Sequence, residues 1–246
     1  MTTPDARPAA DLVIWARPEG GGRGPRPAHS RQDIAAAGIT IADAEGIDAV
    51  SMRRVAAEIG AGTTSLYRYV RNKDELLDLM ADAAFGQEEL PAAGADWQAG
   101  LREIARRNRA VLLRHPWLAA LSPGRPALGP NGLRWLEAMF QIAARPGLTA
   151  DDTLAVVGTL LTFVRGHVST ELAERQAGER SGVSPAQWMA AQGRYGEEII
   201  GGGRYPALSK IMVEATSPHD PDRFATSFTA GLGYVLAGLA AAFGTG

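Results

Sequence analysis

"SMRRVAAEIGAGTTSLYRYVRNKDELL", residues 51–77, holds five bases (Arg53, Arg54, Arg68, Arg71 and Lys73) against one acid, Glu58, before Asp74 opens the next run. Two tyrosines, two threonines and two serines are interleaved with these charges. The whole chain is mildly acidic, with 27 acids, 25 bases and a formal net charge of −2. The basic character is therefore local and needs a local reason. Ser51 is placed to cap a helix whose Val55, Ala56 and Ile59 face inward, and the run Gly60-Ala61-Gly62 breaks it. Thr63 or Thr64 can cap the next helix, "TTSLYRYVR", whose buried face is Leu66 and Val70. Asn72, with Glu75 three positions later, forms a variant of the capping box and opens a helix with Leu76, Leu77 and Met80 inside. Upstream, Ile34, Ala37, Ile41 and Ala44 share one face of a helix that begins at Arg31 and is stopped by Gly46.

Two short helices joined by a glycine-containing turn form a helix-turn-helix, whose second helix fits the major groove of a DNA duplex. With Leu66 and Val70 turned to the core, Thr63, Thr64, Ser65, Tyr67, Arg68 and Tyr69 are left for solvent or a partner. Such a face suits DNA: hydroxyl and guanidinium groups bond phosphates and base edges, while cations displace condensed counterions. Lys73 and the amides opening the following helix offer a further phosphate seat. A solvated basic face on an ordinary small bundle is the alternative. The coincidence of charge, glycine turn and exposed tyrosines on one short helix favours the DNA reading.

The longer run "ITIADAEGIDAVSMRRVAAEIGAGTTSLYRYVRNKDELLDLM" resembles the DNA-binding domain of the TetR family of transcriptional regulators, and the likeness covers residues 31 to 85. The later helices resemble, more loosely, the tetracycline-repressor-type C-terminal domain of that family. The resemblance implies a homodimeric regulator, usually a repressor, released from its operator by a ligand. By the same resemblance, Arg53, Thr63, Thr64, Ser65, Tyr67, Arg68, Tyr69 and Lys73 stand at DNA-contacting positions. The recognition helix opens with Thr63 and Thr64, where the best-known member has bulky or rigid residues, so the operator sequence does not transfer.

The rest of the chain bounds this reading. At 246 residues and 46% hydrophobic it can bury roughly three quarters of its unfolded surface. With no cysteine there is no disulfide framework, thiolate nucleophile or Cys-bearing zinc site. The apolar run Leu12–Trp15 is too short for a signal-peptide core, and the expected location is the cytoplasm. Residues 1–29, rich in Pro, Gly and Arg, read as a flexible basic arm. Arg17, Arg23, Arg26 and Arg31 stand against Glu19, and flexible arginine arms can enter the minor groove; Arg23 and Arg26 are the candidates, and a tail without a role is the alternative. Residues 30–86 are expected to form the helix-turn-helix domain and 91–246 a helical ligand-binding and dimerisation domain.

Beyond the boundary, helical stretches are expected at 97–114, 131–144, 151–177, 185–200, 205–215 and 221–243, separated by Pro and Gly, with no strand alternation. The predicted fold class is all-α. The segment from Phe224 to Gly246 carries no charge and approaches the ~20 residues that span a bilayer, but its apolar spacing reads as a helix buried on several sides in a soluble protein. Leu154, Val157, Leu161, Val164 and Val168 step by three and four, the seam spacing of helices packed side by side. Pairing this seam and Phe228, Leu232, Val235 and Leu239 with their symmetry mates would give a four-helix dimer interface; a core within one chain is the alternative. Trp117, Trp135, Met139, Phe163, His167, Trp188 and Met189 lie on different helices and are candidates for an effector pocket. His167 and Glu171, spaced i, i+4, are the one pair that could serve acid–base chemistry, but no nucleophile elbow, Walker loop or dinucleotide glycine motif accompanies them. No His/Asp/Glu grouping has metal-site spacing. The expectation is a non-enzymatic, ligand-released regulator with no cofactor or metal; a DNA-binding dimer that takes no ligand, or an all-α enzyme with an attached DNA-binding domain, is the alternative. Its partners are double-stranded operator DNA, a second copy of itself and an unidentified small-molecule effector, with no membrane association.

Overall fold

The computed structural model describes residues 13–18, 28–92, 94, 96–121, 129–145, 147–183, 185–216, 220 and 222–243, with Pro185, Ala186, Met189 and Arg194 described by their backbone only. Among the described residues there is no strand, as expected of an all-α chain. The helices are α1 (Arg31–Glu45), α2 (Met52–Glu58), α3 (Thr63–Leu66), α4 (Lys73–Phe85), α5 (Trp97–Arg114), α6 (Trp117–Ala120), α7 (Pro130–Ala143), α8 (Ala150–Ser181), α9 (Pro185–Ala191), α10 (Gly193–Gly201), α11 (Pro206–Glu214) and α12 (Arg223–Phe243). Their limits follow local chemistry. Ser30 and Asp33 form a complete capping box at α1, and Thr149 and Asp152 exchange the same bonds across the first turn of α8. Hydrogen bonds from the Ser30 hydroxyl and N–H hold the Asp33 carboxyl below the ordinary aspartate range, and the Thr149 hydroxyl and N–H do the same for Asp152. Gly46, at φ 84°, stops α1. The expected helix 185–200 is two helices, because the chain turns at Gln192.

The chain divides into two compact units, Met1–Leu160 and Leu161–Gly246, with the division inside α8. In the first unit α4 packs on both α1 and α7, and α5 packs on α7. Buried polar bonds tie α4 to α7: Asp82 accepts from the Gly132 N–H at 2.8 Å and the Asn131 amide at 3.0 Å, and the Trp135 indole donates to the Phe85 carbonyl at 2.9 Å. Asp82 thus caps the first turn of a helix from across the fold.

Several local expectations are corrected. Ala44 is exposed, and the inner face of α1 is Ile34, Ala35, Ala37, Gly38, Ile39, Ile41 and Ala42. Leu77 is only half-buried, while Glu75 and Leu79 are inside. Part of the assigned flexible arm is packed: Ile14 is 1% exposed, and Arg17 pairs with Glu75. In the second unit, α12 is not enclosed on several sides. It is long and apolar enough to cross a membrane, yet only 22% of its most apolar window is buried within the chain.

Candidate nucleic-acid interface

The Ser51 hydroxyl accepts the Arg54 N–H at 3.3 Å and caps α2, which places Arg53 and Arg54 exposed in its first turn. Arg54 pairs with Glu45. The turn that ends α2 is set by Gly60 at φ +68°, with the Ala61 N–H bonded to the Ala56 carbonyl at 2.8 Å and the Gly60 N–H to Ala57 at 3.1 Å. These two bonds close a left-handed helix stop that a side chain at Gly60 would strain. Gly62, not Thr63 or Thr64, is the N-cap of α3, and no side chain caps that end. Bonds from Leu66, Tyr67, Arg68, Tyr69 and Val70 back to residues 62–66 carry the turn past Leu66 as a mixture of i−4 and i−3 contacts.

Leu66 and Val70 are fully buried and anchor this short helix. Of the six residues expected to face outward, Thr64, Tyr67 and Arg68 are exposed, whereas Thr63, Ser65 and Tyr69 are half-buried. Lys73 stands exposed in the first turn of α4, beside Asp74. Asn72 accepts the Glu75 N–H at 2.8 Å, and the Glu75 carboxylate accepts the Arg71 N–H at 2.8 Å and the Arg17 guanidinium. The exposed strip of Arg53, Thr64, Tyr67, Arg68 and Lys73 can donate to phosphates and to purine edges, and its helix is short enough to enter a groove end-first. Arg23 and Arg26 lie outside the described residues.

Behind the strip, α1 is fastened to the α5–α6 corner. Asp43 lies 2.9 Å from His115 Nδ1 and accepts the Trp117 indole N–H at 2.7 Å, and His115 Nε2 is 3.3 Å from Gln87 Oε1. His115 caps α5, as the "RHPW" sequence suggests, and its side chain is buried among these partners. Nothing local in the sequence pairs Asp43 with a histidine 72 positions away.

In the second unit, Phe163 and Phe228 stack at 5.5 Å, and His167 meets the edge of Phe228 at 5.2 Å. His167 Nε2 lies 3.0 Å from the Ser227 hydroxyl, while Glu171, fully buried, is paired with Arg175. The i, i+4 pair considered for acid–base chemistry therefore faces two different partners. Thr162, Phe163, Gly166, His167, Thr170, Phe224 and Ser227 line a cleft of about 480 Å³. Its aromatic walls and hydroxyl rim suit a small, largely apolar molecule. Of the other pocket candidates, Trp117, Trp135 and Met139 are buried in the first unit, Trp188 is exposed, and the Met189 side chain lies outside the described residues.

Known families supply the frame. The model for bacterial regulatory proteins of the tetR family matches residues 34–80, and that for the tetracyclin repressor-like C-terminal domain matches residues 90–243. The chain belongs to the TetR family. It is 37% identical over 214 residues to the transcriptional repressor DrrR1 of Streptomyces coeruleorubidus, a match covering 86% of this chain and 79% of that protein. An HTH-type transcriptional regulator of Saccharopolyspora erythraea is 34% identical over 247 residues, 99% of this chain and 96% of its relative. Among solved structures, ActR of Streptomyces coelicolor in complex with actinorhodin superposes with a TM-score of 0.71 at 29% identity, over 89% of this chain and 99% of that one.

As a TetR-family member, the chain is a DNA-binding transcriptional regulator, and the exposed strip sits on its helix-turn-helix. The proposed dimer positions divide sharply. Val157, Val164, Phe228, Leu232 and Leu239 are already buried in the single chain, Leu161 and Val235 are half-buried, and Leu154 is exposed. The seam spacing found the inner faces of α8 and α12. The open faces carry Thr162, Gly166, Ser169 and Ala173 on α8, and Thr229, Ala230, Tyr234, Ala237 and Ala241 on α12, with no charge among them. Stepping residues by three and four detects a covered face without saying what covers it.

Proposed function

We propose that this chain is a cytoplasmic, non-enzymatic repressor that binds an inverted-repeat operator as a two-fold dimer and leaves it when a small hydrophobic molecule binds. The observation that carries the reading is the exposed Thr64, Tyr67 and Arg68 on a helix pinned by fully buried Leu66 and Val70. Arg53, Thr63, Ser65, Tyr69 and Lys73 complete the contact set, with Arg23 and Arg26 as further candidates from the arm. The domain limits that go with this reading are 30–86 for DNA and 91–246 for effector and dimer. The ligand-bound ActR structure supports an effector role for the corresponding domain here, and the cleft beside Phe163 and His167 is the site we assign to it. Trp188 and Met189 remain candidates for contact with the same molecule, whereas Trp117, Trp135 and Met139 are buried in the first unit.

The dimer forms through the uncharged open face of α12, with Ser169 and Ala173 of α8 beside it and Thr162 and Gly166 left to the cleft, because an apolar helix with 22% of its window buried needs a cover in water. Tyr234, 77% exposed at the middle of that face, is the position to probe. Tyr234→Arg places a charge against its own symmetry mate and should yield monomer in sedimentation, whereas a wild-type monomer at micromolar concentration would sink the dimer. The function is tested by sequencing the fragments of its own genome that the protein retains. The expected result is a palindrome whose half-site centres lie about 34 to 36 Å apart or a multiple of that, released by a hydrophobic molecule. Retention of no preferred sequence would refute the operator reading.

A further inference from the structure

The segment Val13–Arg17 lies outside the residues matched to the DNA-binding family model, in a stretch whose composition reads as unstructured. It is nevertheless held at four points. Ile14 is buried, and the Arg31 guanidinium clasps the backbone by donating to the Ile14 carbonyl at 3.1 Å and the Arg17 carbonyl at 2.9 Å. Arg17 reaches the Glu75 carboxylate near the start of α4. The oxygen it contacts is the one that accepts the Arg71 N–H, in the turn leading from the recognition helix into α4. Trp15 meets the other end of α4: a side-chain carbon at Gly129 would lie 2.6 Å from its indole and 2.3 Å from Asp82, so only glycine lets the ring and the capping carboxylate close over the start of α7.

Glu75 is a buried carboxylate, and a buried charge must be matched by a partner. That partner comes from the strap. We propose that Val13–Arg17 is an intramolecular strap that positions the reading head: Arg17, acting through Glu75, sets the Arg71–Lys73 turn, and Trp15 ties that setting to the first turn of α7. Arg17 is then a positioning residue for operator recognition rather than a DNA contact. Its guanidinium is committed to Glu75 and its side chain is only 17% exposed, which leaves little of it for a phosphate. A residue far from the helix-turn-helix in sequence thereby controls how well the recognition helix fits its site.

The test uses the full chain and the operator recovered from its genome, with operator and unrelated duplex titrated across a range of salt. Wild-type preference for the operator in the same titrations separates a failure of the strap from a failure of the DNA-binding assignment. Arg17→Gln should lower operator affinity about tenfold, leaving the unrelated duplex and the salt slope unchanged. Adding Glu75→Gln should restore much of the loss, because the amide keeps an acceptor for the Arg71 N–H without an unmatched charge. A fall on both duplexes with the slope reduced by about one would make Arg17 a phosphate contact and overturn the proposal. So would unchanged operator affinity. Should Arg17→Gln fail to fold, Trp15→Ala keeps the Arg17–Glu75 pair. It must still weaken the operator selectively, and wild-type binding by it would equally overturn the strap.

Discussion

The reading head, α1 to α4, and the helices α9 to α11 have opposite character. Around α1 to α4 the apolar residues are inside, the buried acids Glu75 and Asp82 have partners, and every turn is closed by a cap or a glycine. Along α9 to α11, Trp188, Tyr195, Leu208, Ile211 and Val213 are exposed, and none of the described residues of these helices is buried. Helices of seven to nine residues are too short to hold themselves together in water, so packing must sustain them. The difference teaches that the reading head buries its apolar residues within one chain, whereas α9 to α11 leave theirs exposed.

The largest effect that could break this comparison is in the cores. Leu66→Ala should cost about 2 to 5 kcal/mol and abolish operator binding, while Ile211→Ser, at a 61% exposed position, should stay within about 0.5 kcal/mol in dilute solution. Comparable losses in denaturant melts would mean that α11 is as well packed as α3. Next comes the DNA face. Arg68→Ala should weaken operator binding by about 1 to 3 kcal/mol and relax sequence preference, whereas Lys73→Ala should weaken all duplexes alike, and gel shifts showing neither would remove the strip from the interface.

Glycines sharpen the comparison at smaller magnitude. Gly60→Ala forces a side chain into a left-handed turn and should destabilise by about 1 to 2 kcal/mol. Gly166→Ala, in mid-helix with nothing within 4 Å of the added carbon, should instead stabilise the monomer by roughly 0.5 to 1 kcal/mol. A loss at Gly166 in thermal melts of dilute protein would show that its surroundings are closed. The smallest effect is on acidity. Because Asp33 and Asp152 titrate below their unfolded value, their capping contribution is present above the ordinary aspartate range and is lost as pH falls through the folded pKa. In NMR titrations Ser30→Ala and Thr149→Ala should raise each carboxyl toward the ordinary range, the backbone N–H bond remaining; unshifted wild-type titrations would contradict the capping account.

Much of the reading head was legible because its determinants are local. Ser51, Asn72, Gly46 and the Gly60–Gly62 turn act within four or five residues, and α5 begins and ends where its pattern predicts. The face on α3 and the turn after it was legible in outline, although only three of its six residues prove exposed. The strap at Val13–Arg17 was not legible, since Pro and Gly around it read as loop while the contact that orders it comes from Glu75, 58 positions away. The cleft was half legible: Phe163 and His167 belong to it, but Thr162, Gly166, Thr170 and Ser227 are not the aromatic residues that mark a pocket in a sequence, and Phe224 comes from another helix.

By itself, then, the sequence determined where helices start and stop and which short helix carries bases beside hydroxyls, because capping, turn strain and helical period are settled within a few residues. Only the tertiary structure decided that Asp43, Glu75 and Asp82 are held by partners 49 to 74 positions distant, and which faces of α8 and α12 the chain covers. Burial of a charge depends on what arrives from across the fold, and an apolar stripe states that a face must be covered without stating by what.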